Sequence, residues 1–213
     1  MCTHTYLGFD PGGVGAFGWC LVQGSALPLT IVACGIEKHA EGATTAAQKA
    51  VQQIKAKVIA VGIDAPLFWR SDGDRQIDCV IRKQITARGG KSATVMAVNS
   101  LRGACLVQGV MAAMIVRLQC QDLPVTESHP KAILWLLGIA KADNPVKAIT
   151  LNNLGQYFNE RVANASDHER DAALGALSAW AMINQPSGWQ NLYLQEQNPI
   201  SPLNPVPGYW MPI

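Results

Sequence analysis

Apolar and polar positions divide the chain into short strand-like runs at its start and longer helical stretches after them. From Thr5 to Asp10 the residues read as a short buried strand ending in an acid, and Pro11-Gly12-Gly13-Val14-Gly15 is a turn built for close backbone approach. Two more strands are expected near Phe17 to Gln23 and Thr30 to Glu37, which makes a β-meander. Ala43 to Lys57 has helical composition. Val58 to Asp64 is a continuous apolar run closed by a second acid, as in a central strand covered on both faces. The order so far is βββαβ. Phe68 to Arg88 is polar and charged, a helix or a loop, while Ser100 to Gln119 is long and apolar enough for a core helix. Pro124 to Glu127 is a candidate fifth strand. Pro130 stands where a helix can begin, with Lys131 to Ile139 continuing it, and Asn144-Pro145 predicts another. Ser166 and Glu169 form a capping box ahead of an Ala-, Leu- and Trp-rich stretch, so a capped, mostly buried helix should start near Asp167. After Gln185, Pro186, Pro199, Pro202, Pro205, Pro207 and Pro212 break every period, and Trp189, Tyr193, Tyr209 and Trp210 are left as anchors. The expectation is an α/β domain over residues 1–184, a mixed five-stranded sheet flanked by helices. A Pro-rich C-terminal extension over 185–213 should then pack on that domain or on a partner subunit.

Composition narrows the setting. With 213 residues, 49% hydrophobic and 15% charged, the chain suits one well-buried domain with elaborations. A net charge of +2 argues against a non-specific coat on nucleic acid, yet leaves room for a protein that reads a short or structured substrate. The six cysteines form no C-x-x-C pair and lie mostly in apolar runs, which points to reduced thiols. No basic-then-apolar leader precedes the first strand. Residues 11 to 36 carry no charge, but Gly24 and Pro28 interrupt them, so a hairpin is expected there and no membrane span. A cytoplasmic protein is the expectation.

Candidate chemistry sits at the strand ends. In open α/β sheets, ligands collect beyond the carboxyl ends of strands, where strand order reverses. Asp10 and Asp64 both end expected strands. If the first and fourth strands are neighbours, the two carboxylates can share a divalent cation through hard oxygen ligands. Either acid alone would also serve as a turn former, since Asp-Pro and Asp-Ala-Pro start turns well. Asp171 lies one turn inside the capped helix, past the capping positions, where an unpaired buried carboxylate costs several kcal/mol or titrates away. A cation would answer that cost. His168, three residues earlier, projects from nearly the same face. Glu127 and His129 alternate in Thr126-Glu127-Ser128-His129-Pro130 and so share one face of an extended strand end; Glu127 is expected to join the site.

The Asp ending the first strand, the βββαβ order, the second acid and the late His168-Glu169-Arg170-Asp171-Ala172 together resemble the ribonuclease H-like superfamily. The last motif is similar to the corresponding helix of Holliday-junction resolvases of the RuvC type. Closer still is the resemblance to a family of uncharacterised ribonuclease H-like nucleases. It rests on Gly8-Phe9-Asp10, Gly62-Ile63-Asp64-Ala65-Pro66, Glu127-Ser128-His129-Pro130 and Asp171-Ala172-Ala173. That resemblance implies a nuclease using two Mg²⁺ or Mn²⁺ ions about 4 Å apart, one activating a water and one steadying the leaving oxygen. It implies Asp10 bridging the ions, Asp64 and Asp171 binding one each, and His168 assisting. The resolvases differ in placing a Glu where Asp64 stands and in lacking an equivalent of the Glu127-Ser128-His129-Pro130 run.

A basic segment would suit a nucleic-acid partner: Arg75, Arg82, Lys91 and Arg102 are candidate phosphate grips, with His129 beside them. Gly89-Gly90-Lys91-Ser92 is not a complete phosphate-binding loop, because Ile85 occupies the place of its first glycine. Two other function classes fit the opening hairpin. A phosphotransferase of the actin-like ATPase and sugar-kinase type also begins with an acid and a Gly-rich turn, but needs a second such domain, which only a homodimer would supply here. A non-catalytic module binding nucleic acid or protein through a relic of the site is the other.

Overall fold

The computed structural model describes residues 4–13, 15–71, 74–101, 103–159, 162 and 165–213. The opening meander forms where the apolar runs placed it. Strand β1 (Thr5–Pro11) pairs antiparallel with β2 (Phe17–Gln23), and β2 with β3 (Thr30–Glu37). Helix α1 (Ala40–Gln53) crosses over and returns the chain to β4 (Val58–Ile63), which lies parallel beside β1. After α2 (Gln76–Ala87) and α3 (Gly103–Gln119), β5 (Val125–Glu127) adds parallel to β4. Helix α4 (Pro130–Leu136) and the long α5 (Asp167–Asn184) follow.

The five-stranded expectation is corrected to a seven-stranded sheet of order β3-β2-β1-β4-β5-β7-β6, because the Pro-rich tail supplies two strands. Strand β7 (Gly208–Pro212) runs parallel to β5, and β6 (Trp189–Asn191) runs antiparallel to β7. The tail also reaches back to α2. Glu196 accepts from the backbone N–H of Ile77 at 3.1 Å, capping a helix whose own N-cap, Arg75, offers no side-chain cap. A second correction concerns Asn144-Pro145: only short 3₁₀ turns, Val146–Ala148 and Leu151–Leu154, follow it.

Every residue of β1 is buried, since the sheet is covered on both faces. Leu7, Phe9, Val61 and Ile63 meet the α1 and α3 side, while Tyr6 and Ala60 lie in the core shared with α5. Helix α5 lies on β1 and β4 at backbone contact. A Cβ on Gly8 would collide with the carbonyl oxygen of Ala172, and one on Gly62 with that of Gly175. Glycines on both the sheet and the helix thus let the two approach closely. No helix among the described residues is long and apolar enough to cross a membrane.

Because the obstacle at Gly62 is backbone, no rotamer change can relieve it. Gly62→Ala should cost about 3 kcal/mol or more, at the upper end of overpacking penalties. A urea midpoint equal to wild type would show that α5 can lift from β4 freely.

Candidate carboxylate site

Strand alternation puts two acids on the α5 face of the sheet. Asp10 follows Gly8 by two residues along β1, and Asp64 follows Gly62 just past β4. The Asp64 backbone N–H donates to the Phe9 carbonyl at 2.9 Å, so the parallel ladder holds both strand ends together. Helix α5 brings the third acid. Ser166 caps it, accepting from Glu169 N–H at 3.2 Å, while the Glu169 carboxylate accepts from Ser166 N–H at 2.9 Å. This fixed start points His168 at the β1 end, where its Nδ1 donates to Asp10 Oδ2 at 2.6 Å. Gly12 and Gly18 make room for it: a Cβ on Gly12 would stand 2.7 Å from the His168 ring.

The electrostatics tie the three acids together. Burial first, then Asp10 and Asp171, drive the Asp64 carboxyl well above its ordinary range, against a smaller opposing pull from Lys131. Burial also raises Asp171 to about 6; Arg170 resists this and Asp10 adds to it. Arg170 is buried and holds Asp171 Oδ1 through Nε at 2.8 Å and Nη2 at 2.7 Å, while its Nη1 reaches the Ile149 carbonyl at 2.7 Å. His168 is raised by its bond to Asp10, with burial opposing. Among the described residues, no group of three or more His, Cys, Asp or Glu side chains stands arranged to hold a metal ion. Each acid nevertheless keeps at least one oxygen to which no described hydrogen bond runs.

Lys131 belongs to this cluster and was not singled out from sequence. Burial disfavours its charge, yet Asp64, Asp171 and Asp10 together lift it above its ordinary range. Its position was the available signal: it is the second residue of a helix that starts beyond the carboxyl end of a central strand.

Alternation sets the Glu127 side chain on the side of the sheet away from α5, yet its charge still adds to the lift on Asp64. Register pairs Glu127 with Ile63, whose side chain points to the α1 and α3 side, so Ser128 is the residue that turns to α5, with its Oγ 3.2 Å from that of Ser178. Glu127 Oε1 accepts from Arg75 Nη2 at 2.7 Å, and Oε2 accepts from Arg75 Nη1 at 2.8 Å and Leu67 N–H at 2.9 Å. Its expected place among the catalytic acids is therefore corrected to that of an anchor. The His129 Nδ1 is enclosed without a partner, and burial, then Lys131 and Arg75, lower the ring to about 3, so it is neutral at neutral pH.

The phosphate-grip expectation for Arg75 is corrected as well. At 2% exposure, all five of its N–H donors are taken: by both Asp78 oxygens, both Glu127 oxygens and the Phe68 carbonyl. The rings of Phe68 and Tyr209 lie 4.5 Å and 5.4 Å from the guanidinium carbon. Arg82 is engaged by Asp74 and by the Val95 carbonyl at 2.7 Å. Lys91 is exposed, and Arg102 lies outside the described residues.

No protein-family model and no curated protein matches the chain. Among solved structures it is similar to T. thermophilus RuvC in complex with a Holliday junction substrate. The identity is 15%, with 84% of this chain and 95% of that chain covered and a TM-score of 0.48.

Two outcomes follow from these charges. Arg75→Met strands two buried carboxylates, so a loss of about 3 to 5 kcal/mol is expected by chemical denaturation. The second concerns pH. Asp64 and Asp171 sit above their unfolded values, so the stability owed to their neutral forms is complete below the ordinary carboxylate range. It is lost as pH rises through the folded values, about 6 for Asp171. His168 works in the same direction: its bond to Asp10 is fully favourable below 6.5 and fades as pH passes its raised value. Metal-free protein should thus melt lower at pH 7.5 than at pH 5. Asp64→Asn should regain about 2 to 4 °C at pH 7.5 in EDTA, the response to roughly 1 kcal/mol in a chain of this size. Equal melting of wild type and variant at both pH values would place Asp64 outside the shared field.

Proposed function

We propose that the chain is a metal-dependent nuclease of the ribonuclease H-like kind, hydrolysing phosphodiester bonds in nucleic acid. The observation that carries this reading is the gathering of Asp10, Asp64 and Asp171 into one electrostatic unit on the α5 face. An antiparallel meander followed by parallel strands, with the acids at the ends of β1 and β4, supports the fold part of the reading. The donor set suits Mg²⁺ or Mn²⁺, since the open oxygens are hard carboxylate ligands and Asp64 accepts no described hydrogen bond. Bound there, the metal would activate a water and stabilise charge on the phosphate and leaving oxygens.

In this reading Asp10, Asp64 and Asp171 would together hold the metal. His168 orients Asp10 through the 2.6 Å bond and, when protonated, offers positive charge beside the scissile phosphate. Arg170 fixes one Asp171 oxygen and so turns the other towards the site. Lys131, at the rim, is placed to meet the substrate's phosphate.

Asp10→Asn tests the reading, because Asn keeps the size and turn-forming capacity of Asp while removing the charge. Wild type should cleave at least one of a panel of labelled single-stranded, duplex, hybrid and junction substrates in Mg²⁺ or Mn²⁺. The variant should retain its fold by circular dichroism and lose about 100-fold or more of that rate, as losing a metal-held charge requires. Its melting temperature should also stop responding to Mg²⁺. Activity surviving the substitution removes Asp10 from the site. ATP-dependent phosphoryl transfer without cleavage would replace the nuclease by a kinase-type enzyme.

A further inference from the structure

Strands β2 and β3 set two thiols opposite each other. Cys20 of β2 is the direct cross-strand partner of Cys34 of β3. Both point to the α5 face: Cys20 is fully buried in the core shared with that helix, and half-buried Cys34 packs against the same core. Directly opposed residues of an antiparallel pair carry Cα atoms about 4.5 to 5.5 Å apart, within the span of about 4.4 to 6.8 Å that a disulfide bridges. Both thiols are free.

Cys34 is also tied to α5. Its Sγ donates to Glu169 Oε1 at 3.4 Å, which links β3 to the first turn of that helix. The other carboxylate oxygen, Oε2, accepts from the Ser166 N–H at 2.9 Å and from the Ser166 hydroxyl at 3.0 Å. One carboxylate thus joins an edge strand of the sheet to the capping box that starts α5. It also restrains the thiols. Burial first, then the charge of Glu169 and the hydrogen bond to it, push the Cys34 thiol up to about 12. Burial raises Cys20 as well, with Cys34 and Glu169 adding to the rise. Both sulfurs therefore keep their protons at neutral pH, and the pair stays reduced until an oxidant meets the small thiolate fraction.

We propose that Cys20 and Cys34 form a redox-responsive pair, which hydrogen peroxide closes into a disulfide and so detaches Glu169 from β3. Half-buried Cys34 reacts first. Its thiolate attacks one peroxide oxygen, the O–O bond breaks, and a sulfenic acid forms while the leaving hydroxide takes up the thiol's proton to become water. Cys20 then attacks the Cys34 sulfur: the S–S bond forms, the S–O bond breaks, and the oxygen leaves as water with the Cys20 proton. Two thiols are oxidised and one peroxide is reduced to two waters. The disulfide carries no S–H, so Glu169 Oε1 loses its donor on β3 and the first turn of α5 loses that tie. The thiol chemistry does not depend on what the carboxylate site cuts. An effect on cleavage rests on the nuclease reading, since the loosened turn carries His168 to Asp10.

Peptide mapping after treatment with excess hydrogen peroxide tests it. Peptic digestion of treated wild type should yield the Cys20 peptide joined to the Cys34 peptide, and dithiothreitol should separate them again. Hydrogen exchange should show the amides of Glu169 and Arg170, both bonded to Ser166, losing about fivefold or more of their protection on oxidation, as loss of a bond to a charged group implies. Glu169→Gln keeps a side chain suited to the capping box but removes the charge that restrains Cys34. It should keep its circular dichroism and form the link at least about fivefold faster than wild type, because more of the thiol is ionised. No Cys20–Cys34 link at a dose that oxidises the exposed Cys79 and Cys120 overturns the proposal. A link that leaves the start of α5 as protected as before overturns the coupling to Glu169, as does E169Q oxidised no faster than wild type.

Discussion

A helix can carry its own side chains to the ends of two neighbouring strands only when its backbone lies directly on theirs. In this protein Gly8, Gly62 and Gly175 remove the side chains that would hold α5 away from β1 and β4. The rest of the site depends on that contact. With α5 seated, its capped first turn places His168 on Asp10 and turns Asp171 into the field of Asp64. A longer side chain at Gly62 would alter both the core and the spacing of the acids. Packing and chemistry therefore share one constraint.

Charge is distributed unevenly about this contact, and in an ordered way. On the α5 side three acids crowd together in a buried place, and Asp64 bears the consequence as a carboxyl pushed well above its ordinary range. Arg170 relieves Asp171, His168 attends Asp10, and Lys131 balances the cluster from the rim. On the opposite face a single guanidinium meets two carboxylates with every N–H used, and the cluster is closed. One face is electrostatically saturated and structural. The other is left with carboxylate oxygens to which no described hydrogen bond runs.

The saturated cluster also explains why the tail belongs to the fold. Arg75 joins the start of α2 to β5, and Tyr209 of β7 covers it from the side. Glu196 caps α2 from the same tail. Strands of three and five residues gain little by themselves; their stability comes from the partner edge of β5 and from the aromatic rings they bury.

Much of this was legible from local pattern. The meander, the apolar run of β4, the acids at two strand ends and the capping box of α5 are each written within a few consecutive residues, because turn chemistry, capping and periodicity act over short distances. Tertiary structure alone decided the rest. Whether Glu127 faces the carboxylates depends on how β5 registers against Ile63, and a slip of one residue would have reversed the answer. Arg75 read as a surface cation until β5 and β7, both distant in sequence, closed around it. Lys131 joined the cluster only when folding set it in the field of Asp64, Asp171 and Asp10, and α3 read as core until packing left Val107, Met111, Met114 and Leu118 outside. The short tail strands were hidden for the same reason. Their register and burial are set by neighbours remote in sequence, so no window of the chain contains them.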